Sequence, residues 1–212
     1  MGVIYANEKH YLAAMPAGTG LALDLGGGIG RYRAHIERLG YTYINLDIDT
    51  TVAKPHIVAD AHALPFRDDA FALIISYDSL EHMHAPWIAA DELRRCLETG
   101  GSFVANVPFL TPFHGSDYYR FTQLGFKSLF SGFNLSVTNH THLFTIVAHF
   151  LAVILSKIRV PVIGKYIRTA GSMIDGILCG AGLRFSSYAQ SYLVVAKKQV
   201  ASEVNDNVKI PG

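Results

Sequence analysis

The chain has 212 residues, enough for one domain with a proper core; half are hydrophobic and only 17% are charged. Its 18 Lys and Arg balance 17 Asp and Glu, so the electrostatic footprint of a nucleic-acid binder is missing. Cys96 and Cys179 lie far apart with no metal-ligand spacing and read as reduced thiols of a cytosolic protein. The N-terminus lacks the basic region and apolar core of a signal peptide. The longest apolar run, Leu143 to Leu155, is interrupted by His149 and falls short of the ~20 residues that a spanning helix needs.

In chain order, Glu8 to Met15 predicts a short helix, broken by Pro16, Gly18 and Gly20. Tyr11 on it is either a packed aromatic or a cover for a ligand. Leu21 to Leu25 is a short apolar run that reads as a buried strand. It runs into glycine at 26, 27, 28 and 30 and then into an expected helix over 29–39, with Ile29, Tyr32, Ile36 and Leu39 on one face and Gly40 as the stop. A strand that turns through glycines into a helix offers bare backbone N–H groups to a ligand, the first half of a nucleotide-type cofactor site.

The dinucleotide pattern G-x-G-x-x-G fails here, because Arg31 holds its third position. The residues present are D-x-G-x-G-x-G, from Asp24 to Gly30. An acid there sits badly beside a pyrophosphate and suits a ligand with a positive charge and an amine. S-adenosylmethionine (SAM) has both, in its sulfonium and its amino group.

A second strand is expected from about Tyr41 to Leu46, with Asp47 at its end and Asp49 as a neighbour. An acid roughly 20 residues past the glycine loop can accept from both ribose hydroxyls, or merely cap the next turn. His56 to Ala59 reads as a short third strand before Asp60, and Phe71 to Tyr77 as a continuous apolar central strand.

The stretch from Leu21 to about Lys197 resembles a class I SAM-dependent methyltransferase of the type 11 group. Besides the glycine loop, the likeness rests on three stretches: Leu46-Asp47-Ile48, Asp60-Ala61-His62-Ala63-Leu64-Pro65-Phe66, and Leu80-Glu81-His82 after the fourth strand. It implies a doubly wound, Rossmann-like α/β fold: a mostly parallel seven-stranded sheet with an antiparallel edge strand. It further implies SAM as cofactor, with Asp24, Gly26, Gly28 and Gly30 around the methionine part, Asp47 on the ribose, and Asp60 and Ala61 by the adenine.

His82 follows strand four, where substrate and cofactor would meet. An imidazole titrates near neutrality, so His82 is a candidate general base, or else a histidine that ties the loop together. His82 and His84 have H-x-H spacing without an obvious third ligand, and no metal is expected. Pro86 to Leu97 predicts a helix with Trp87, Ala90, Leu93 and Leu97 inward; Thr99-Gly100-Gly101 ends it, and Ser102 to Val107 is strand five.

Residues 107–122 form a proline- and aromatic-rich loop over the cofactor mouth. The run His114-Gly115-Ser116-Asp117-Tyr118-Tyr119-Arg120-Phe121-Thr122 resembles a signature in a subset of type 11 proteins, some of which sit among sugar and cell-envelope enzymes. His114 and Tyr118 are base candidates. Arg120 is either a clamp for an acceptor phosphate or carboxylate, or the partner of Asp117 in holding the lid closed.

A helix from Gln123 to Phe130, capped by Thr122, precedes strand six, Phe133 to Asn139. Strand seven is Ser191 to Lys197, and some fifty residues separate the two. This insertion, about 143–184, splits into an apolar helix, Leu143 to Ile158, and a glycine-rich one, Gly164 to Arg184. A lid or a homodimer face comes first for it. Peripheral contact with an anionic membrane comes second, because Lys157, Arg159, Lys165 and Arg168 cluster there.

The expected organisation is one domain, 1–198, with a polar tail, 199–212. The function that follows is methyl transfer from SAM to a small-molecule, sugar or lipid-linked acceptor. The expected location is cytoplasmic, or peripheral at the inner face of a membrane. The rivals are a non-catalytic SAM-fold interaction or membrane-associated protein and, below it, a nucleotide-cofactor oxidoreductase.

Overall fold

A computed structural model describes residues 6–51, 54–111, 115–140, 143–157, 161–181 and 189–199. His114 and the tail from residue 200 lie outside the described residues. Seven strands form one sheet: β1 (Leu21–Leu25), β2 (Thr42–Asp47), β3 (Ile57–Val58), β4 (Phe71–Tyr77), β5 (Leu97–Pro108), β6 (Phe133–His140) and β7 (Ser191–Lys198). Their spatial order is β3-β2-β1-β4-β5-β7-β6. β1 pairs in parallel with β2 on one side and β4 on the other, so the winding reverses there and a crevice opens beyond their carboxyl ends. β7 runs antiparallel between β5 and β6, which gives the expected antiparallel pair at the sheet edge.

Alternation along the strands builds a core on each face of the sheet. Leu23, Leu25, Ile74, Phe103 and Ala105 join α3 (Pro86–Cys96) and α4 (Gln123–Leu129) on one side. Ala22, Leu73, Ile75 and Val104 join Tyr11 of α1 (Ala6–Ala14) and Ile36 of α2 (Arg33–Arg38) on the other. Tyr11 is wholly buried among Tyr32 and Tyr77, with ring centres 5.3 and 5.0 Å away, and so does not cover a ligand.

Three local expectations give way. The helix after the glycine loop starts at Arg33, not at residue 29, because Gly26, Gly28 and Gly30 take φ of +70°, +51° and +74°. Those dihedrals cannot continue a right-handed helix, and Ile29 is left 78% exposed. Trp87 is 56% exposed, since α3 turns Pro86, Ala89, Ala90, Leu93 and Cys96 inward, a face one residue away from Trp87. β5 begins at Leu97, and Gly100 (φ +82°) lies inside it: the register with β4 jumps from Phe71↔Leu97 to Leu73↔Ser102, so the glycines form a bulge rather than a helix stop.

The insertion between β6 and β7 is a helix pair, α5 (Leu143–Lys157) and α6 (Pro161–Gly180).

Candidate active site

The glycine loop between β1 and α2 spends its own donors. Gly26 and Gly27 N–H both donate to the Leu46 carbonyl, at 2.9 and 3.2 Å, and Gly30 N–H donates to Gly27 at 2.9 Å. Gly28 N–H donates to Asp47 Oδ2 at 2.8 Å. The bare N–H groups expected there are thus engaged within the fold, and the loop is no ready cradle for phosphate.

Its glycines serve close approach instead. A Cβ on Gly26 would collide with Ser79 Oγ, and one on Gly27 with the side chains of Asn45 and Asp24. A Cβ on Gly28 would meet nothing within 4 Å.

Carboxylates flank this loop. Asp24 is buried below it and accepts from the Tyr43 hydroxyl at 2.6 Å. Burial pushes its carboxyl up to about 7; the Tyr43 hydrogen bond opposes the shift and the charge of Asp47 adds to it. Asn45 Nδ2 donates to the Gly28 carbonyl at 2.9 Å and ties β2 to the loop. Asp47 faces the crevice, and its Oδ1 accepts from Asp49 N–H at 2.9 Å. Asp49 accepts from the N–H and hydroxyl of Thr51, at 2.7 and 2.6 Å, which makes it a turn cap rather than a rival for the crevice.

The crevice is an open cleft of about 180 Å³, narrower than the roughly 300–1,000 Å³ of small-molecule sites. Gly26, Asp47, Asp60, Ala61 and His82 all line it, so one wall gathers residues far apart in sequence. His62, Ser79, Met83 and His84 line it too, and sequence reasoning assigned none of them a role there. Asp60 Oδ1 accepts from His62 N–H (2.9 Å) and lies 2.5 Å from its Nδ1, and these contacts, the backbone N–H foremost, hold its carboxyl below the usual range. His62 Nε2 accepts from Ala85 N–H at 3.2 Å, so the ring carries its hydrogen on Nδ1. His84 packs against the His62 ring at 4.2 Å rather than beside His82. The H-x-H spacing therefore does not converge.

At the far end of the cleft, the segment Leu80–His82 meets the lid. Tyr118 and Tyr119 N–H donate to the Glu81 carbonyl, at 2.8 and 3.2 Å. His82 Nδ1 hydrogen-bonds the Ser116 carbonyl at 3.2 Å, with Asp117 Oδ1 3.1 Å away, so Nδ1 carries the hydrogen and Nε2 the lone pair. Asp117 Oδ2 in turn accepts from Arg120 Nη2 at 2.5 Å. Arg120 is thus engaged with Asp117, and Tyr118 is 60% exposed; neither lines the cleft.

Glu81 is fully buried 3.8 Å from His82 Nε2, and burial pushes its carboxyl up to about 8. Glu81, His82 and Asp117 offer ligand atoms all within 4.8 Å of one another. The Arg120 guanidinium already pairs with Asp117 in this group, and its charge opposes a dication there.

This strand order, with the cleft at the ends of β1, β2 and β4, defines a class I methyltransferase fold. Residues 23–105 match the family described as methyltransferase domain. An uncharacterized methyltransferase of Mycobacterium leprae is 33% identical over 116 residues, 49% of this chain and 43% of that protein. One of Mycolicibacterium vanbaalenii is 32% identical over 107 residues, 45% and 42% of the two chains. This chain thus spans less than half the length of the curated relatives it matches.

Among solved structures, phosphoethanolamine N-methyltransferase 2 of Haemonchus contortus in complex with S-adenosyl-L-methionine superposes with a TM-score of 0.60 at 16% identity, covering 91% of this chain and 53% of that one. The [4+2]-cyclase SpnF superposes at 0.62 and 17% identity, covering 92% and 81%. These likenesses are of fold.

Proposed function

We propose that the chain is a SAM-dependent methyltransferase acting on a small-molecule, sugar or lipid-linked acceptor. The observation that carries this is the glycine loop itself. Its N–H groups are satisfied internally while carboxylates lie below it and beside it. Such a site favours a cationic ligand over a pyrophosphate, which also argues against the oxidoreductase reading.

In this reading the ammonium of the methionine part draws on Asp24 and the loop around Gly26, Gly28 and Gly30. Asp47 takes the ribose hydroxyls, and Asp60 with Ala61 faces the adenine amine. Ile48, 67% exposed at the cleft, supplies an apolar platform for the ring.

SAM supplies an activated methyl group. The acceptor's lone pair forms the new bond as the S–CH3 bond breaks, and the sulfonium leaves as a neutral thioether. Holding donor and acceptor in line is worth ~7–11 kcal/mol. For a hydroxyl acceptor, His82 Nε2 takes the proton, while Asp117 fixes the tautomer and Arg120 fixes Asp117. Arg120 then positions rather than clamps the acceptor.

Titration with SAM against NADH separates the cofactor readings. Transfer of labelled methyl from SAM into lipid, glycan, protein and small-molecule fractions of cell extract identifies the acceptor pool. Binding of SAM without label transfer to any pool would favour the non-catalytic reading.

A further inference from the structure

The α5–α6 pair is packed inside out for a surface that meets only water. α5 buries Thr145, Ile146, Ala148 and Ala152, and α6 meets it through Gly171 and Asp175. A Cβ on Gly171 would stand 2.7 Å from both the Ala148 Cβ and the Phe144 carbonyl oxygen, so the backbones approach closely. The Asp175 carboxylate caps the start of α5, accepting from Phe144 N–H (3.1 Å), Thr145 N–H (2.6 Å) and the Thr145 hydroxyl (2.7 Å). Contacts of 144 with 175 and 148 with 171 make the helices antiparallel.

The large side chains face outward. On α5, Phe144, Val147, Phe150, Leu151 and Ile154 are 38–59% exposed and share one helical face. On α6, Tyr166, Met173, Ile174 and Ile177 are 41–71% exposed. Exposed apolar faces of this kind mark an interaction surface.

Charge selects the partner. Residues 118–202 hold nine Lys and Arg and a single acid, Asp175, which is buried as the cap. Residues 1–117 hold eight Lys and Arg against fourteen acids. The net charge of +1 conceals this division. Lys157, Arg159, Lys165 and Arg168 fall within the twelve residues where α5 ends and α6 begins. A second copy would answer the apolar face, but a two-fold contact pairs a patch with itself, and the patch has no exposed acid to offer those cations.

Position adds the third observation. β7 starts at Ser191, paired with Pro108 at the end of β5 and with His140 at the end of β6. The hairpin therefore springs from the carboxyl edge of the parallel strands, the edge that holds the cleft.

We propose that this hairpin docks on an anionic lipid bilayer, its apolar face in the headgroup and acyl boundary and its cations at the phosphates. It lies on the membrane rather than crossing it, because among the described residues no helix is long and apolar enough to span. Docked so, the hairpin turns the cleft's edge toward the surface. The inference stands apart from methyl transfer and survives if that reading fails.

The test is flotation of the full chain with vesicles of phosphatidylcholine alone and with phosphatidylglycerol admixed. Partitioning should depend on the anionic lipid and weaken with salt. Lys157→Gln, Lys165→Gln and Arg168→Gln together should lower it about 100-fold, roughly fivefold per cation. Ile154→Ser with Ile177→Ser should lower it on both membranes without changing the circular dichroism. Failure to float with the anionic vesicles, with the fold intact, overturns the proposal. So does a concentration-dependent dimer that those two serine variants dissociate without any lipid effect. SAM binding, followed in parallel, reports separately on the cofactor reading.

Discussion

Asp24 and Asp47 divide the work of the glycine loop, and they should fail differently. Asp47 holds Gly28 from the cleft side. Asp47→Ala removes a charged acceptor worth about 1.5–3 kcal/mol, so SAM affinity should drop by roughly 10–100-fold in calorimetry. Asp24 is buried with its carboxyl near 7 in the free protein. An ammonium beside it favours the ionised form, so SAM affinity should rise as pH climbs through 7. Asp24→Asn should flatten that rise, and titrations at several pH values would read it.

His82 and Asp117 are tested by kinetics instead. With a hydroxyl acceptor, His82→Gln should lower kcat by roughly 10²–10⁴ while leaving SAM affinity unchanged. Asp117→Asn should lower kcat less. Equal loss of cofactor binding in both variants would make them structural.

At the scale of elements, what the sequence made legible was what has a period. The strand runs, the α3 segment and the two helices of the insertion stand close to where the apolar pattern puts them. The misses arise where backbone geometry outweighs pattern. Positive φ at Gly26, Gly28 and Gly30 delays α2 and expels Ile29. The bulge at Gly100 moves the start of β5. Asp24, Asp47, Asp60 and His82 could be named because they fall inside recognisable stretches. His62, Ser79 and the Glu81 side chain could not, because their meaning depends on partners brought together only by the fold; the sole signal was their place inside those same stretches.

Gly26→Ala should cost about 1–2 kcal/mol for its φ alone. The added clash with Ser79 should abolish cofactor binding, and chemical denaturation beside calorimetry would separate the two effects. Gly171→Ala tests sign: on an exposed helix it would stabilise by up to about 1 kcal/mol. Against Ala148 and Phe144 it should destabilise by about 1–3 kcal/mol in denaturation.

Across the whole molecule, two buried carboxyls set the pH dependence of stability. Asp24 and Glu81 have folded-state values near 7 and 8, above their unfolded values of 3.8 and 4.5. Between those limits the folded chain holds protons that the unfolded chain has released. Stability of the ligand-free protein is therefore fully present below about pH 4 as far as these groups are concerned. It falls as pH rises toward 8 and levels off above. Asp24→Asn should flatten part of that slope in thermal melts from pH 5 to 9 and raise the melting temperature of the free protein at the alkaline end, even as it weakens SAM.

The most direct measurement is a titration of the purified chain with SAM, its demethylated product and NADH, by calorimetry and thermal shift. The account predicts saturable binding of the first two and none of the third. With ligand about 100-fold above its Kd, stabilisation of about 2.7 kcal/mol should appear, a rise of roughly 5–10 °C in Tm, much reduced in Asp47→Ala. No heat and no shift with either adenosyl compound, or equal binding by Asp47→Ala, would contradict it.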